Sequence, residues 1–293
     1  MNSDRVAQTA QLAMLIELSS SPKPGNVDRC HDFDEINFQH FLISAVSAYP
    51  SFKKAASRKG TLGELMLESV SSWRGWNLVE NTHFGSLTLL IPLTMAAGNL
   101  PPENHSKDDL RDELHRVLNE SSVEDAVNFY AAFQLAGARV TSVEDMSLDD
   151  PSSVENVRRR GKTLLDLMKL SQGHDLVARE WATVFERSFR LAESMENKAS
   201  KHGLNDNVVL TYLEALAEVP DSLVSSKFGL KKAKEISKRA GLALDGNHEE
   251  VLNQAIILDQ SFIKEDVNPG STADLIASAL FIALVKGTIL RRE

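Results

Sequence analysis

The sequence predicts an all-α fold, a single globular domain of about a dozen helices around a buried central helix. Three observations carry that expectation. Apolar residues recur at three- and four-residue intervals through most of the chain, Ser/Thr-x-x-Asp/Glu boxes open one segment after another, and no run alternates polar and apolar residues over a strand's length. With 42% hydrophobic and 25% charged residues among 293, the chain has the balance of a globular protein with a sizeable core. No Pro/Gly/Ser-rich linker or fixed-period repeat divides it, so residues 1–293 are expected to form one domain, with the acidic stretch 139–151 as its weakest place for a boundary and a candidate surface loop or lid.

Residues 5–19 place Val6, Ala10, Ala13, Met14 and Ile16 at helical spacing. The loop that follows is stiffened by Pro22 and Pro24, while Gly25 permits a turn that other residues resist. From Asp34, a candidate N-cap, the series Ile36, Phe38, Phe41, Leu42, Ala45, Val46 and Tyr49 predicts a helix that Pro50 interrupts. Thr61 and Glu64 form a capping box that opens a helix through Val70. Residues 87–97 are apolar on all sides, which predicts the buried central helix, with Pro92 a kink or early-turn residue. Boxes at Ser106 with Asp109, Ser121 with Glu124 and Ser152 with Glu155 start three more helices. Others are expected near 174–199, 206–218, 227–240, 247–264 and 272–290.

Composition excludes several classes of function. A net charge of −9 argues against a nucleic-acid binder, which would carry a basic face, and favours small molecules or proteins as partners. Cys30 is the only cysteine, so no intrachain disulfide can form and a reducing, cytoplasmic setting is expected. The polar N-terminus does not read as a signal peptide, and no run approaches the ~18 apolar residues of a membrane span. A homo-oligomer is allowed but not specified. The sequence contains no G-x-S-x-G, G-x-x-x-x-G-K-[ST] or H-E-x-x-H, which disfavours the chemistries those motifs support.

Four loop clusters carry polar residues that a helical core does not require. Asp28, His31, Asp32 and Asp34 lie within seven positions, close enough to supply oxygen ligands to Mg²⁺ completed by phosphates, or to act as caps and solvated charge. Asn81, Thr82 and His83 precede the central helix, where free amides suit an anion, though one of them could simply cap it. Arg139 follows Gly137 and Ala138 at the end of an apolar helix, placed to clamp a phosphate or to complement the helix dipole. Asn268, Pro269 and Gly270 lead into Ser271 and Asp274, which a stop, a turn and a capping box would account for.

Taken in order, these clusters resemble the motifs of the triphosphoribosyl-dephospho-CoA synthase family. Residues 22–29, Pro-Lys-Pro-Gly-Asn-Val-Asp-Arg, are similar to its P-K-P-G-L-V-D-R; residues 81–85, Asn-Thr-His-Phe-Gly, to its N-T-H-K-G; residues 268–277 to its N-x-P-G-G-S-A-D-L-L-A. The resemblance implies an all-helical enzyme that moves the triphosphoribosyl group of ATP to the ribose 2′-hydroxyl of dephospho-CoA and releases adenine. Substitution at an anomeric carbon of oxocarbenium character needs carboxylates near the sugar, a base for the hydroxyl, and Mg²⁺ or cations on the polyphosphate. By this resemblance Lys23, Asn81, Thr82, Arg139 and Ser271 would hold the nucleotide, and Asp28, Asp32 and Asp274 the metal. His31, Asp34 and His83 are the catalytic candidates, with the base either His31 or His83. The chain also departs from the family: A-H-x-D-M-D is compressed to residues 30–34, Phe84 replaces a lysine, G-A-R-G-E-A loses its second glycine and its carboxylate after Arg139, and the late R-G-G element becomes Lys227-Phe228-Gly229. These departures mark a divergent member and keep two alternatives in view, a phosphoribosyl transferase of another cofactor pathway and an inactive nucleotide-binding or regulatory helical protein.

Overall fold

The computed structural model describes residues 1–30, 32–33, 36–78, 81–101, 105–138, 148, 152–287 and 289. Among them are sixteen α-helices and no strand. In order these are α1 (Ser3–Ser19), α2 (Phe38–Ser47), α3 (Tyr49–Ala56), α4 (Leu62–Arg74), α5 (Phe84–Asn99), α6 (Lys107–Asn119), α7 (Val123–Ala136) and α8 (Ser153–Arg160). The second half adds α9 (Leu164–Ser171), α10 (Leu176–Ala182), α11 (Glu186–Lys198), α12 (Leu204–Glu218), α13 (Ser222–Phe228), α14 (Leu230–Ala243), α15 (His248–Lys264) and α16 (Gly270–Val285). No helix among the described residues is long and apolar enough to cross a membrane.

The larger helix count arises where the hydrophobic pattern continues through a break in the backbone. Pro50 does not end a helix; it occupies the first turn of α3, where its missing N–H has no partner to lose. The cap of α2 is Asn37, whose side chain accepts from the His40 amide at 3.0 Å; Asp34 lies outside the described residues. The segment 174–199 splits at Val184 and Phe185, whose φ of 53° and 56° no helix can contain. Further on, Gly229 at φ 85° separates α13 from α14. One capping box is shifted by a residue: Ser122, not Ser121, pairs with Asp125, and the Ser121 hydroxyl accepts from the Leu165 amide at 3.1 Å instead. Ser152 is helical in backbone and makes no side-chain cap, so its box does not form. Apart from Leu148, the acidic stretch 139–151 lies outside the described residues.

The two most apolar helices, α5 and α16, pack side by side and are buried on every face along most of their length. Around them lie α1, α3, α4, α6 and α10 against α5, and α1, α11 and α12 against α16. Pro92 sits in the middle of α5 and has no N–H to give the carbonyl of Thr88, one turn earlier. A buried carbonyl left without a donor is costly, and the Trp181 indole of α10 fills the gap, its Nε1–H donating to Thr88 at 3.1 Å.

The loop after α1 is bolted to the far side of the bundle. Gly25 has φ +80°, and a Cβ there would stand 2.3 Å from the Val267 carbonyl, so no other residue fits. Its amide donates to Asp259 of α15 at 2.9 Å, and the Tyr212 hydroxyl of α12 donates to the Pro24 carbonyl at 3.0 Å.

The Pro92–Trp181 pairing predicts a coupled pair of substitutions. Trp181→Phe should destabilise the protein by about 1–3 kcal/mol through the orphaned Thr88 carbonyl, beyond the small loss of area. The same change in a Pro92→Ala background, where an amide at position 92 can serve Thr88, should cost less. Urea unfolding of the four proteins reads the coupling, and additive effects would refute the account.

Candidate active site

The first turns of α5 and α16 open on one cavity of about 1410 Å³, open mouth included. Concave sites of this kind, apolar in part with a few convergent polar groups, are where small molecules bind. The two helices begin within contact of each other: a Cβ on Gly85 would lie 2.0 Å from Oδ2 of Asp274, so the approach requires glycine at the second position of α5. The residues preceding the two helices, His83 and Pro269, make no side-chain cap, but Asn81 Oδ1 accepts from the Phe84 amide at 3.3 Å and Asp221 Oδ2 accepts from the Thr272 amide at 2.7 Å. Two helix N-termini thus present their partial positive charge to the same space, in a protein of net charge −9.

The polar end of the cavity is lined by Glu17, Asn26, Asn81, Thr82, His83 and Asp274, with Asn268 and Ser271 beside them. Three of its buried atoms, Thr82 Oγ1, His83 Nε2 and Asn268 Oδ1, have no partner among the described residues. Asp274 does not cap α16, whose first residue is Gly270; instead its Oδ1 accepts from the Ser86 hydroxyl of α5 at 2.6 Å. Burial holds its carboxyl well above the usual range, the Ser86 bond opposes this, and the charges of Glu17 and Asp221 add to it. The Ser271 hydroxyl accepts from Ser222 at 2.8 Å, which ties the start of α16 to α13.

Glu17 is 5% exposed, and burial raises its carboxyl against the pull of Lys23. Lys23 is fully buried, with Nζ 3.4 Å from Glu17 and donating to the Ser20 carbonyl at 3.1 Å. It stands behind the cavity wall rather than in it, so the expected phosphate ligand serves in this structure as counter-ion to Glu17. His83 is 2% exposed; burial first, then the Lys23 charge, push its imidazole down to about 3, so it is neutral across the physiological range.

The expected metal set Asp28, Asp32 and Asp274 does not come together. Asp28 is buried but holds its own loop, accepting from the Cys30 amide at 2.8 Å and the Lys23 amide at 3.4 Å. Asp32 is exposed and accepts from the Phe38 amide at 2.6 Å at the start of α2. Neither lines the cavity. No group of three or more His, Cys, Asp or Glu side chains among the described residues is arranged to hold a metal. His31, Asp34 and Arg139 lie outside the described residues.

Sequence reasoning missed Glu17, His174 and Asp175, and gave no site role to Asn26 and Asn268 although both lie in its motifs; all five line the cavity. Glu17 had a signal: it follows Val6, Ala10, Ala13 and Met14 on the buried stripe of α1, where a lone carboxylate is out of place. Phe84, Phe129 and Phe133 add apolar lining, with ring centroids 5.4 Å apart for Phe84 and Phe129 and 5.9 Å for Phe84 and Phe133. Phe84 therefore belongs to an aromatic cluster rather than to a phosphate site.

The CitG family model, described as ATP:dephospho-CoA triphosphoribosyl transferase, matches residues 3–292. A protein of Pseudomonas syringae pv. tomato, named as a 2-(5''-triphosphoribosyl)-3'-dephosphocoenzyme-A synthase, is 26% identical, with 95% of this chain and 90% of that protein covered. A Streptococcus equi subsp. equi protein of the same name is 23% identical, with 98% of each covered. Among solved structures, that of a triphosphoribosyl-dephospho-CoA synthase from Archaeoglobus fulgidus superposes with a TM-score of 0.69 at 28% identity, covering 84% of this chain and 99% of that one.

The burial of neutral His83 has a measurable consequence. Its folded pKa of about 3 lies below the ordinary 6.5, so between those values the unfolded chain takes up a proton that the folded chain refuses. The stability penalty is absent above 6.5 and grows as pH falls. Between pH 7 and pH 5 the protein should lose about 2 kcal/mol more than a His83→Asn variant, read by urea unfolding at each pH; equal losses would show that His83 is not held neutral.

Proposed function

Because the chain belongs to the ATP:dephospho-CoA triphosphoribosyl transferase family, we propose that it transfers the triphosphoribosyl group of ATP to a ribose hydroxyl of dephospho-CoA and releases adenine. The observation that carries this reading is one cavity lined both by polar residues at the starts of α5 and α16 and by three phenylalanine rings, within a chain that the family model matches over residues 3–292. Polyphosphate suits the positive ends of α5 and α16, with Asn81, Thr82 and Asn268 as polar partners. A purine suits the faces of Phe84, Phe129 and Phe133.

In the transfer, the acceptor oxygen bonds to the anomeric carbon of ATP as the bond from that carbon to adenine N9 breaks. The acceptor hydroxyl gives up a proton and the departing adenine takes one up. His83 Nε2, neutral and without a partner among the described residues, is the group we assign to receive the hydroxyl proton. Its low pKa makes it a weak base, and negative charge brought by polyphosphate raises it. Glu17 and Asp274 are the acids of the cavity; burial favours their neutral forms, and a carbon of oxocarbenium character would draw them to the charged form that stabilises it.

Mg²⁺ fits the same carboxylates. A hard ion of this kind is commonly held by one or two carboxylates and the substrate's phosphates rather than by a protein cage, and the donor set present is of that type. Glu17 and Asp274 would hold it, and it would neutralise charge on the polyphosphate.

Incubation with ATP, Mg²⁺ and dephospho-CoA should release adenine in proportion to the new ribosyl product, both read by chromatography. Asp274→Asn should lower kcat at least 100-fold with the unfolding midpoint little changed, and Glu17→Gln should lower kcat as much while also lowering the midpoint, because it leaves the buried Lys23 ammonium without its counter-ion. Absence of adenine with the unmodified protein would overturn the reading.

A further inference from the structure

Ser44 of α2 is fully buried, and its hydroxyl makes two contacts. It donates to the Phe41 carbonyl of its own helix at 3.1 Å, and it is in hydrogen-bond contact with Nδ1 of His83. A hydroxyl has one proton. If Ser44 gives that proton to Phe41, then the contact with His83 is a bond only when Nδ1 carries the hydrogen and donates to Ser44 Oγ. If Ser44 gives it to Nδ1, the approach to Phe41 has no proton in it, and the imidazole hydrogen is forced onto Nε2. Only the first arrangement makes both buried contacts hydrogen bonds, and burial strongly favours the arrangement that satisfies more of them. The edge-on packing of Phe41 against the imidazole, 4.8 Å between centroids at 88°, restricts rotation of the ring away from this pose.

We propose that Ser44 is a positioning residue that fixes His83, which lines the cavity, as its Nδ1–H tautomer and so keeps a lone pair on the unpartnered Nε2. Nothing in the polar end of the cavity competes for that nitrogen, since no described residue bonds it. The consequence rests on the transferase reading above: an Nδ1–H imidazole can accept the proton of an attacking hydroxyl at Nε2, whereas the Nε2–H tautomer can only donate to a ligand oxygen. The pair thereby does what an orienting group does for any catalytic imidazole, here with a serine on a neighbouring helix in place of a carboxylate.

Nitrogen NMR of the full-length protein labelled with ¹⁵N-histidine, with His83 assigned by comparison with His83→Asn, reads the tautomer without any substrate. The expected result is a bare Nε2 and a protonated Nδ1; a protonated Nε2 would overturn the proposal. Ser44→Ala should convert His83 to a mixture or to the Nε2–H form, and should lower kcat about tenfold or more with KM within twofold. An unchanged tautomer or an unchanged kcat in that variant would also overturn it. Should the unmodified protein release no adenine, the transferase reading fails while the tautomer of His83 still decides the role of Ser44.

Discussion

The approach of α5 to α16 is the constraint on which the rest of the site depends. Glycine at position 85 lets Asp274 come so close that any larger residue would collide with its carboxylate, and the Ser86 hydroxyl then fastens the two helices through that same carboxylate. Two helices that start side by side bring the positive ends of two dipoles to the same space, although Asn81 takes the Phe84 amide and Asp221 the Thr272 amide. This resolves an apparent conflict in the composition. A chain of net charge −9 has little reason to attract a polyphosphate through its average field, yet fixed dipoles act locally and in a site partly shielded from solvent. The cavity needs few cations in its wall, and the buried Lys23 behind it is engaged with Glu17.

That Glu17–Lys23 pair gives the stiff loop after α1 its purpose. Burying a single carboxylate on the inner stripe of α1 would be expensive, and a buried ion pair recovers part of that cost only when its geometry is held. Gly25, seated against Val267 and Asp259, and Pro24, held by Tyr212, fix the path of the loop and with it the position of Lys23. Asp28 closes the loop from within by accepting two of its amides. The loop's residues therefore do most of their work as support: it holds the counter-ion of a cavity carboxylate and contributes Asn26 and Val27 to the wall.

How much of this could be read from the sequence follows the physics of each feature. Helical periodicity and all-round apolarity identify α5 and α16, because burial on one face or all faces is written in residue type. Backbone breaks inside a continuous hydrophobic pattern are not written there, which is why Val184 and Phe185 in left-handed conformations went undetected. Motif order found Asn81, Thr82, His83, Ser271 and Asp274, and the structure gathers these five around one cavity. It could not separate Asp28 and Asp32, which spend their oxygens on backbone amides, from Asp274, which faces the cavity; charge and spacing look alike in all three. Glu17 carries a weak signal as a lone acid on an apolar stripe. His174 and Asp175 reach the site through the packing of α9 and α10, and nothing local announces that.

The start of α5 brings the site's different chemistries into one short segment. Successive residues of a helix point about 100° apart, so neighbours at a helix start face different walls. His83 turns toward Ser44 of α2, Phe84 toward the rings of α7, Gly85 yields to α16, and Ser86 reaches Asp274. One turn further on, Thr88 is anchored by Trp181 because Pro92 has withdrawn its usual partner. A small rotation of α5 would therefore misplace the base, the aromatic wall and the carboxylate together. The proline and its indole partner are best understood as fixing that rotation: the Thr88 carbonyl is satisfied only when α5 meets α10 at one angle, and that angle sets the direction of every side chain at the mouth of the cavity.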